Sequence, residues 1–283
     1  MDFRVDPQQL RRTLQVIVGE RSPFSGHRHL AAVENFIDKE LANHGLAVES
    51  DYFSYRGKTF RNIVGRAGAQ RGPLIIVGAH FDSVPGTPGA DDNASGVAVL
   101  LEAARLLSRA RLRSPVLFCA FNLEELNMIG STHFAQKLKA AGAKLAGMVS
   151  LEMVGYTDSG PGSQKYPAGL KWFYPNRGDF IGIIGNWDSS RLLGSFSRRM
   201  RQVPGLMVET LSVPGKGAFI PAVRLSDHSP FWDAGYPALM ITDTAFYRNP
   251  HYHGPTDALE TLNLDFMAKV CEGVIQGVLG VQV

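Results

Sequence analysis

Residues 74–82 read Leu-Ile-Ile-Val-Gly-Ala-His-Phe-Asp. Six consecutive small or apolar residues, too few for a helix and without the polar alternation of a half-solvated strand, describe a β-strand buried on both faces. Such strands belong to parallel sheets covered by helices on either side, and His80 and Asp82 then fall where the strand leaves the sheet. The same signature recurs over Val116 to Phe121, Met148 to Met153, Phe180 to Ile184 and Ala238 to Thr242. Amphipathic segments separate these runs. Ser95 stands as the expected cap of a helix with Val97, Leu100, Leu101, Ala104 and Leu107 on one stripe, and further helices fit Gly130 to Leu138, Ser189 to Arg201 and Asp265 to Val278.

Upstream lie two helical patterns, Gln8 to Val18 and His29 to His44, then two alternating segments, Val48 to Tyr55 and Thr59 to Arg66, with Arg56 and Gly57 as the turn between them. That pair reads as an antiparallel hairpin added to one edge. The fold expected is three-layer α/β/α with a central mixed, mainly parallel sheet, residues 1–283 forming one domain in which about 1–66 make a helical lead and edge hairpin. Gly155 to Asp179 is a long loop crowded with glycine, proline and aromatic residues, and the aromatics argue that it is ordered.

The 283 residues are 45% hydrophobic and 19% charged, a globular balance that excludes disorder, collagen and a coiled coil. Lys and Arg exceed Asp and Glu by only 29 to 26, and apart from Arg198, Arg199 and Arg201 the cations are scattered, so nucleic acid is not an implied partner. No apolar run reaches the roughly 18 residues that span a bilayer, so no membrane association is expected. The opening MDFRVDPQQLRR lacks the apolar stretch of a secretion signal, and Cys119 and Cys271 form neither a disulfide framework nor a CxxC pair. A reducing, cytoplasmic setting is expected; the oligomeric state is left open.

Ligands of open α/β sheets bind beyond the carboxyl ends of the strands. Applied here, that rule gathers His80 and Asp82 from the first strand, Glu124 and Glu125 from the second and Glu152 from the third. GADDNASG (89–96) adds Asp91 and Asp92, and YRNPHYHGPTD (247–257) adds His251 and His253. Nitrogen and oxygen donors without thiolates suit zinc, manganese or cobalt. Five ligands exceed the needs of one four-coordinate catalytic ion, whereas a bridging carboxylate lets two divalent ions each keep an open position. Of the consecutive Glu124 and Glu125, one can ligate while the other receives a proton. Asp82, two residues beyond His80, is placed to accept the other imidazole N–H. His27, His29, His44 and His133 lie outside these segments, Asp91 reads as a helix cap, and Asp227 and His228 read as a cap before Trp232 or as a part of the site.

GAHFDS, PGADDNASG, NLEELNMIGS, SLEMVGY, SDHSPFWDAGYPALM and NPHYHGPTD, in this order from about Asn62 to the C-terminus, resemble the di-zinc aminopeptidase family, whose fold leucyl aminopeptidases share with glutamate carboxypeptidase II and glutaminyl cyclases. The resemblance implies that His80 and Glu152 hold one zinc, Glu125 and His253 the other, and that Asp92 bridges them. It implies Glu124 as general base and Tyr252 as an oxyanion donor. Many members carry Asp where this chain has Glu152, whose extra methylene moves the carboxylate by about one bond length. The activity implied is hydrolysis of a peptide's N-terminal residue by a water that the two ions acidify and Glu124 deprotonates.

Trp172, Phe173 and Tyr174 either wall the pocket for the first side chain or pack their loop on its own scaffold. A carboxypeptidase would need arginines such as Arg177 and Arg248 aimed at a free carboxylate, a cyclase would work at a single zinc, and a non-catalytic binding module would have lost a ligand or the base. The carboxylate density of Glu124, Glu152 and Asp92 suits a free ammonium, which favours the aminopeptidase.

Overall fold

A computed structural model describes residues 3–282. Its eight strands form one sheet: β1 (Ala47–Tyr55), β2 (Lys58–Gly68), β3 (Leu74–His80), β4 (Pro115–Phe121), β5 (Leu145–Glu152), β6 (Phe180–Asn186), β7 (Met207–Val213) and β8 (Ala238–Thr242). The order across the sheet is β1-β2-β4-β3-β5-β8-β6-β7. β3, β4, β5 and β8 run parallel, as do β6 and β7 with each other, while β6 is antiparallel to β8. The β1–β2 hairpin joins the edge antiparallel to β4, with Arg56 and Gly57 turning at positive φ as its sequence requires.

The helices are α1 (Pro7–Ile17), α2 (His27–Asn43), α3 (Gly96–Leu107), α4 (Ile129–Ala140), α5 (Ser190–Met200), α6 (His228–Ala234) and α7 (Leu264–Gly280). α1 starts at Asp6, whose carboxylate accepts from the Gln8 N–H, with Pro7 as the first helical residue. Apolar stripes on α1, α2, α3, α5 and α7 share one core with the sheet, and α4 and α6 close a smaller core on the opposite face around Phe121, Phe134, Phe231 and Trp232. Burying side chains of this size contributes roughly 1.5–3 kcal/mol each, which is what holds three layers together. Among the described residues no helix is long and apolar enough to cross a membrane.

One local expectation needs correction and one strand was not expected. Ser95 does not cap α3: it is itself helical, and its hydroxyl donates to the Asp91 carbonyl and accepts from the Val154 N–H, joining the start of α3 to the end of β5. β7 had no expectation at all. As an edge strand it is only half covered, so Glu209, Thr210 and Ser212 interrupt its apolar residues and no continuous run marks it.

The 155–179 loop is tied down by its aromatics. Tyr166 stacks on Tyr174 with centroids 5.7 Å apart, the Tyr174 hydroxyl donates to the Thr210 carbonyl of β7, and Asp158 bridges Gly178.

Candidate metal centre

β3, β4 and β5 end at one rim of the sheet, and each hands over its polar residues there: His80 and Asp82, Glu124 and Glu125, and Glu152. Asp92 arrives from the turn 90–95 and His253 from the loop after β8. Three buried carboxylates and amides hold those turns. Asp257 accepts the backbone N–H groups of Asp91 (2.9 Å) and Asp92 (3.1 Å). Asp82 accepts those of Glu124 (3.0 Å) and Glu125 (3.2 Å). Asn93 donates to the Leu151 carbonyl and accepts from the Met153 N–H, so both sides of Glu152 are fixed to the turn that carries Asp92. Gly89 opens that turn at φ +60, and a Cβ there would lie 2.4 Å from the Asp92 carbonyl oxygen, so no larger residue fits.

Beneath these loops lies Arg21, fully buried. Its guanidinium donates to the carbonyls of Phe81 (2.8 Å), Gly89 (2.7 Å), Ile17 (3.1 Å), Gly19 (2.7 Å) and Pro88 (2.9 Å). Phe81 sits between His80 and Asp82, and Gly89 is three residues before Asp92. Burial pulls the Arg21 pKa down to about 10 against the pull of Asp92, Asp82, Asp257 and Glu125, so it remains cationic at neutral pH.

His80, Asp92 and Glu152 bring one ligand atom each within 4.8 Å of one another, and so do Asp92, Glu125 and His253. Asp92 belongs to both groups through different oxygens: Oδ1 is 3.3 Å from His80 Nε2 and Oδ2 is 3.1 Å from His253 Nε2. Glu152 Oε2 lies 3.6 Å from His80 Nε2, and Glu125 Oε2 lies 3.4 Å from His253 Nε2. Donors about 2.0 Å from a tetrahedral ion stand about 3.3 Å from each other, the spacing found here. His80 Nε2, Asp92 Oδ1 and Glu125 Oε1 are buried without a hydrogen-bond partner. Buried polar atoms are rarely left so unless something else occupies them, and this hard-to-borderline donor set fits zinc.

The electrostatics follow from crowding. Burial would raise Asp92, but the adjacent imidazoles of His253 and His80 outweigh it and hold the carboxyl well below the usual range. Burial and the charge of Asp92 push Glu125 up to about 7. Burial raises Glu124 well above an ordinary carboxyl, with His80 opposing and Glu152 and Glu125 adding to the rise. Burial would lower His253, yet Asp92 and Glu125 push it up to about 10.

Glu124 stands beside both groups but belongs to neither, its Oε2 3.8 Å from His80 Nε2. Asp82 Oδ1 is 3.5 Å from His80 Nδ1, so its main contacts are the two glutamate N–H groups rather than the imidazole. Ser226 donates to Glu152 Oε2 at 2.8 Å and contacts Ser150, which braces the longer side chain at position 152. Asp227 makes no side-chain cap on α6; both its oxygens are buried without a partner, and burial pushes it up to about 7. His228 contacts the Val223 carbonyl and stands edge-on to Trp232, inside the core. Asp91 does not cap either: its carboxylate accepts from the Gly155 N–H and the Asn249 amide. Tyr252 stacks on His253 with centroids 3.7 Å apart and faces the adjacent cleft.

That cleft opens from Glu152 and Tyr252 across the β8-β6-β7 face. Tyr174 lines it. Trp172 and Phe173 do not: they are 77% and 80% exposed, because the loop turns through a short 3₁₀ segment that leaves both in solvent. Arg177 is exposed and donates to the Ser159 carbonyl, and Arg248 is buried against Gln164, the Tyr156 carbonyl and the ring of Phe180; neither borders the cleft. His251 contacts Thr256 and joins neither donor group. Sequence reading missed Arg21, Asn93, Ser226 and Asp257 as supports, since their partners lie far away along the chain.

The model of peptidase family M28 matches residues 62–278. The chain belongs to peptidase family M28. Its relatives include the Escherichia coli protein YfbL, called uncharacterized, 39% identical over 95% of this chain and 86% of its own length. Aminopeptidase YwaD of Bacillus subtilis is 29% identical over 74% of this chain, which spans 42% of that relative's length. Among solved structures, an aminopeptidase from Aneurinibacillus sp. strain AM-1 superposes with a TM-score of 0.74 at 17% identity, covering 98% of this chain and 93% of that one, a likeness of fold.

Proposed function

We propose that this metallopeptidase is an aminopeptidase that works with two divalent ions, zinc by donor chemistry. The observation that carries the reading is Asp92, which offers one oxygen to each three-residue donor group while Glu124 stands free of both. His80, Glu152 and Asp92 would hold one ion and Glu125, His253 and Asp92 the other. Two ions so placed supply an acidified water and a polarised scissile carbonyl. Glu124 takes the proton of the attacking water and returns it to the leaving amine; burial gives its carboxylate the raised proton affinity that this exchange needs. Asp82 fixes the backbone of Glu124 and Glu125 together, so base and ligand keep their relative positions. Burial raises the Tyr252 phenol, which therefore keeps its proton at neutral pH and can donate to the developing oxyanion.

The free ammonium of a peptide finds Glu124, Glu152 and Asp92 at this rim. A free carboxylate would meet no arginine there, which supports reading the N-terminal end. Glu124→Gln is expected to lower kcat by roughly 10²–10⁴ while both ions stay bound, and Glu125→Gln to lose metal along with activity. Metal content per chain, with cleavage of free, N-acetylated and C-amidated peptides, tests the whole reading. Full activity at one ion per chain, or cleavage of acetylated peptides only, overturns it.

A further inference from the structure

One row of residues crosses four adjacent strands on the cleft floor. Glu152 of β5 pairs with Thr242 of β8, Thr242 with Gly182 of β6, and Gly182 with Glu209 of β7. Directly paired residues present their side chains on the same face, and all four line the same cleft. The row therefore has a carboxylate at each end and only a threonine and a glycine between. Three strand spacings put the end Cα atoms about 14 Å apart. Gly182 has an ordinary φ, and a Cβ placed on it would stand 3.3 Å from the Thr242 carbonyl oxygen, a tight contact with the neighbouring strand that a small residue avoids. Its effect is to leave the floor of the trough open.

Glu209 is half-buried, and its carboxylate has no hydrogen bond or ion pair among the described residues. Tyr166 and Tyr174 line the same cleft, their phenols raised by burial with the charge of Glu209 adding to the rise. Lys165 also borders the cleft, but from the exposed loop, and makes no ion pair with it. The walls between the two ends are apolar, among them Phe180, Ile184, Leu211 and Met240.

Building on the aminopeptidase reading, we propose that Glu209 makes this cleft a subsite for a long first side chain with a cationic end, lysine or arginine. The α-amine sits at the Glu152 end of the row. An extended lysine or arginine reaches about 6–7 Å from its Cα, and the glutamate side chain reaches back toward it, which together span the trough. Its methylenes lie against the apolar walls and its cation meets Glu209 in a charge-assisted contact. An uncharged aliphatic chain of the same length would cover the carboxylate without compensating it.

The test compares arginine, norleucine and alanine p-nitroanilides on the metal-loaded chain, together with calorimetric binding of arginine amide and norleucine amide to chelated protein. Arginine is expected to exceed norleucine in kcat/KM about tenfold. Glu209→Gln should lower the arginine value and raise the norleucine value, closing the gap in kinetics and binding alike. Gly182→Val should cost arginine and norleucine about tenfold relative to alanine by blocking the trough. A norleucine preference in the unaltered chain, or an arginine preference that survives Glu209→Gln, overturns the proposal. If no p-nitroanilide is cleaved but arginine amide binds more tightly and loses that advantage in Glu209→Gln, the aminopeptidase reading falls and the subsite stands; if the amides bind equally, the subsite falls.

Discussion

Replacing Arg21 by methionine keeps the aliphatic stem and removes five N–H···O=C hydrogen bonds, and the structure fixes how costly that should be. Three of the five carbonyls retain another partner: Ile17 has His29, Pro88 has the Gly19 N–H and Gly89 has the Ala94 N–H. The Phe81 and Gly19 carbonyls lose their side-chain donor, and Phe81 is the more deeply buried of the two contacts. An unsatisfied buried acceptor costs about 1–3 kcal/mol, so two cost about 2–6 kcal/mol out of a total stability of about 5–15 kcal/mol. For a chain of this size the melting temperature should fall by about 5–20 °C. Because Phe81 and Gly89 anchor the strand end of His80 and the turn of Asp92, zinc affinity should fall as well. Thermal unfolding of the chelated protein gives the first quantity and competition with a zinc indicator gives the second. Unfolding within about 1 kcal/mol of the parent, or a large loss of stability with zinc affinity unchanged, would refute the role assigned to this arginine.

Asp82→Asn keeps the size of the side chain but replaces one acceptor with a donor that faces a backbone N–H; turnover should drop at least tenfold and stability by about 1–3 kcal/mol, as activity and unfolding assays on the same preparation will report. Chelated protein should lose stability between about pH 4.5 and pH 7, because Glu125 and Asp227 are each held up to about 7 by burial and give up their protons into a closed, acidic cleft over that interval. His253 adds to the same trend, since a histidine raised to about 10 contributes stability below about pH 6.5 that is lost as pH climbs through 10. Zinc should reverse the slope; a chelated protein whose melting temperature rises from pH 5 to pH 8 contradicts these directions. Ser226→Ala removes the donor to Glu152 and should raise KM for the substrate ammonium or weaken one zinc, with little effect on folding beyond about 1–2 kcal/mol.

The architecture was legible because buried parallel strands carry their own signature: Leu74–His80, Pro115–Phe121 and Ala238–Thr242 consist of residues that have nowhere to go but a covered sheet. β7 was invisible for the converse reason, an edge position that tolerates Glu209, Thr210 and Ser212. The convergence of His80, Asp92, Glu125, Glu152 and His253 could be read because strand ends and their following turns concentrate chemistry at one rim. The direction of an exposed loop side chain could not, and Trp172 and Phe173 stand in solvent although their composition suits a pocket wall. Caps were misassigned at Ser95, Asp91 and Asp227 because a polar residue before a helix looks the same whether it serves its own helix or a neighbouring turn. Asp257 and Arg21 act across 165–166 and 60–68 positions of sequence, and no local pattern announces such partners.

The supports of this site share one chemistry with the site itself. Asp82 and Asp257 each grip two successive N–H groups beside a donor residue, so the devices that hold the donors in place add negative charge to a cleft already containing Asp92, Glu124, Glu125 and Glu152. Burial raises most of these acids, which is the physical sign that the fold resists ionising all of them together. Arg21 is the permanent cation beneath them and His80 and His253 are conditional ones; divalent ions would complete the compensation. Affinity for those ions is then part of the folding free energy, because whatever binds only the native arrangement stabilises it in proportion to its saturation. A chain whose other cations are mostly scattered over its surface can thus keep a dense acidic centre, because one arginine is buried under the turns that carry it.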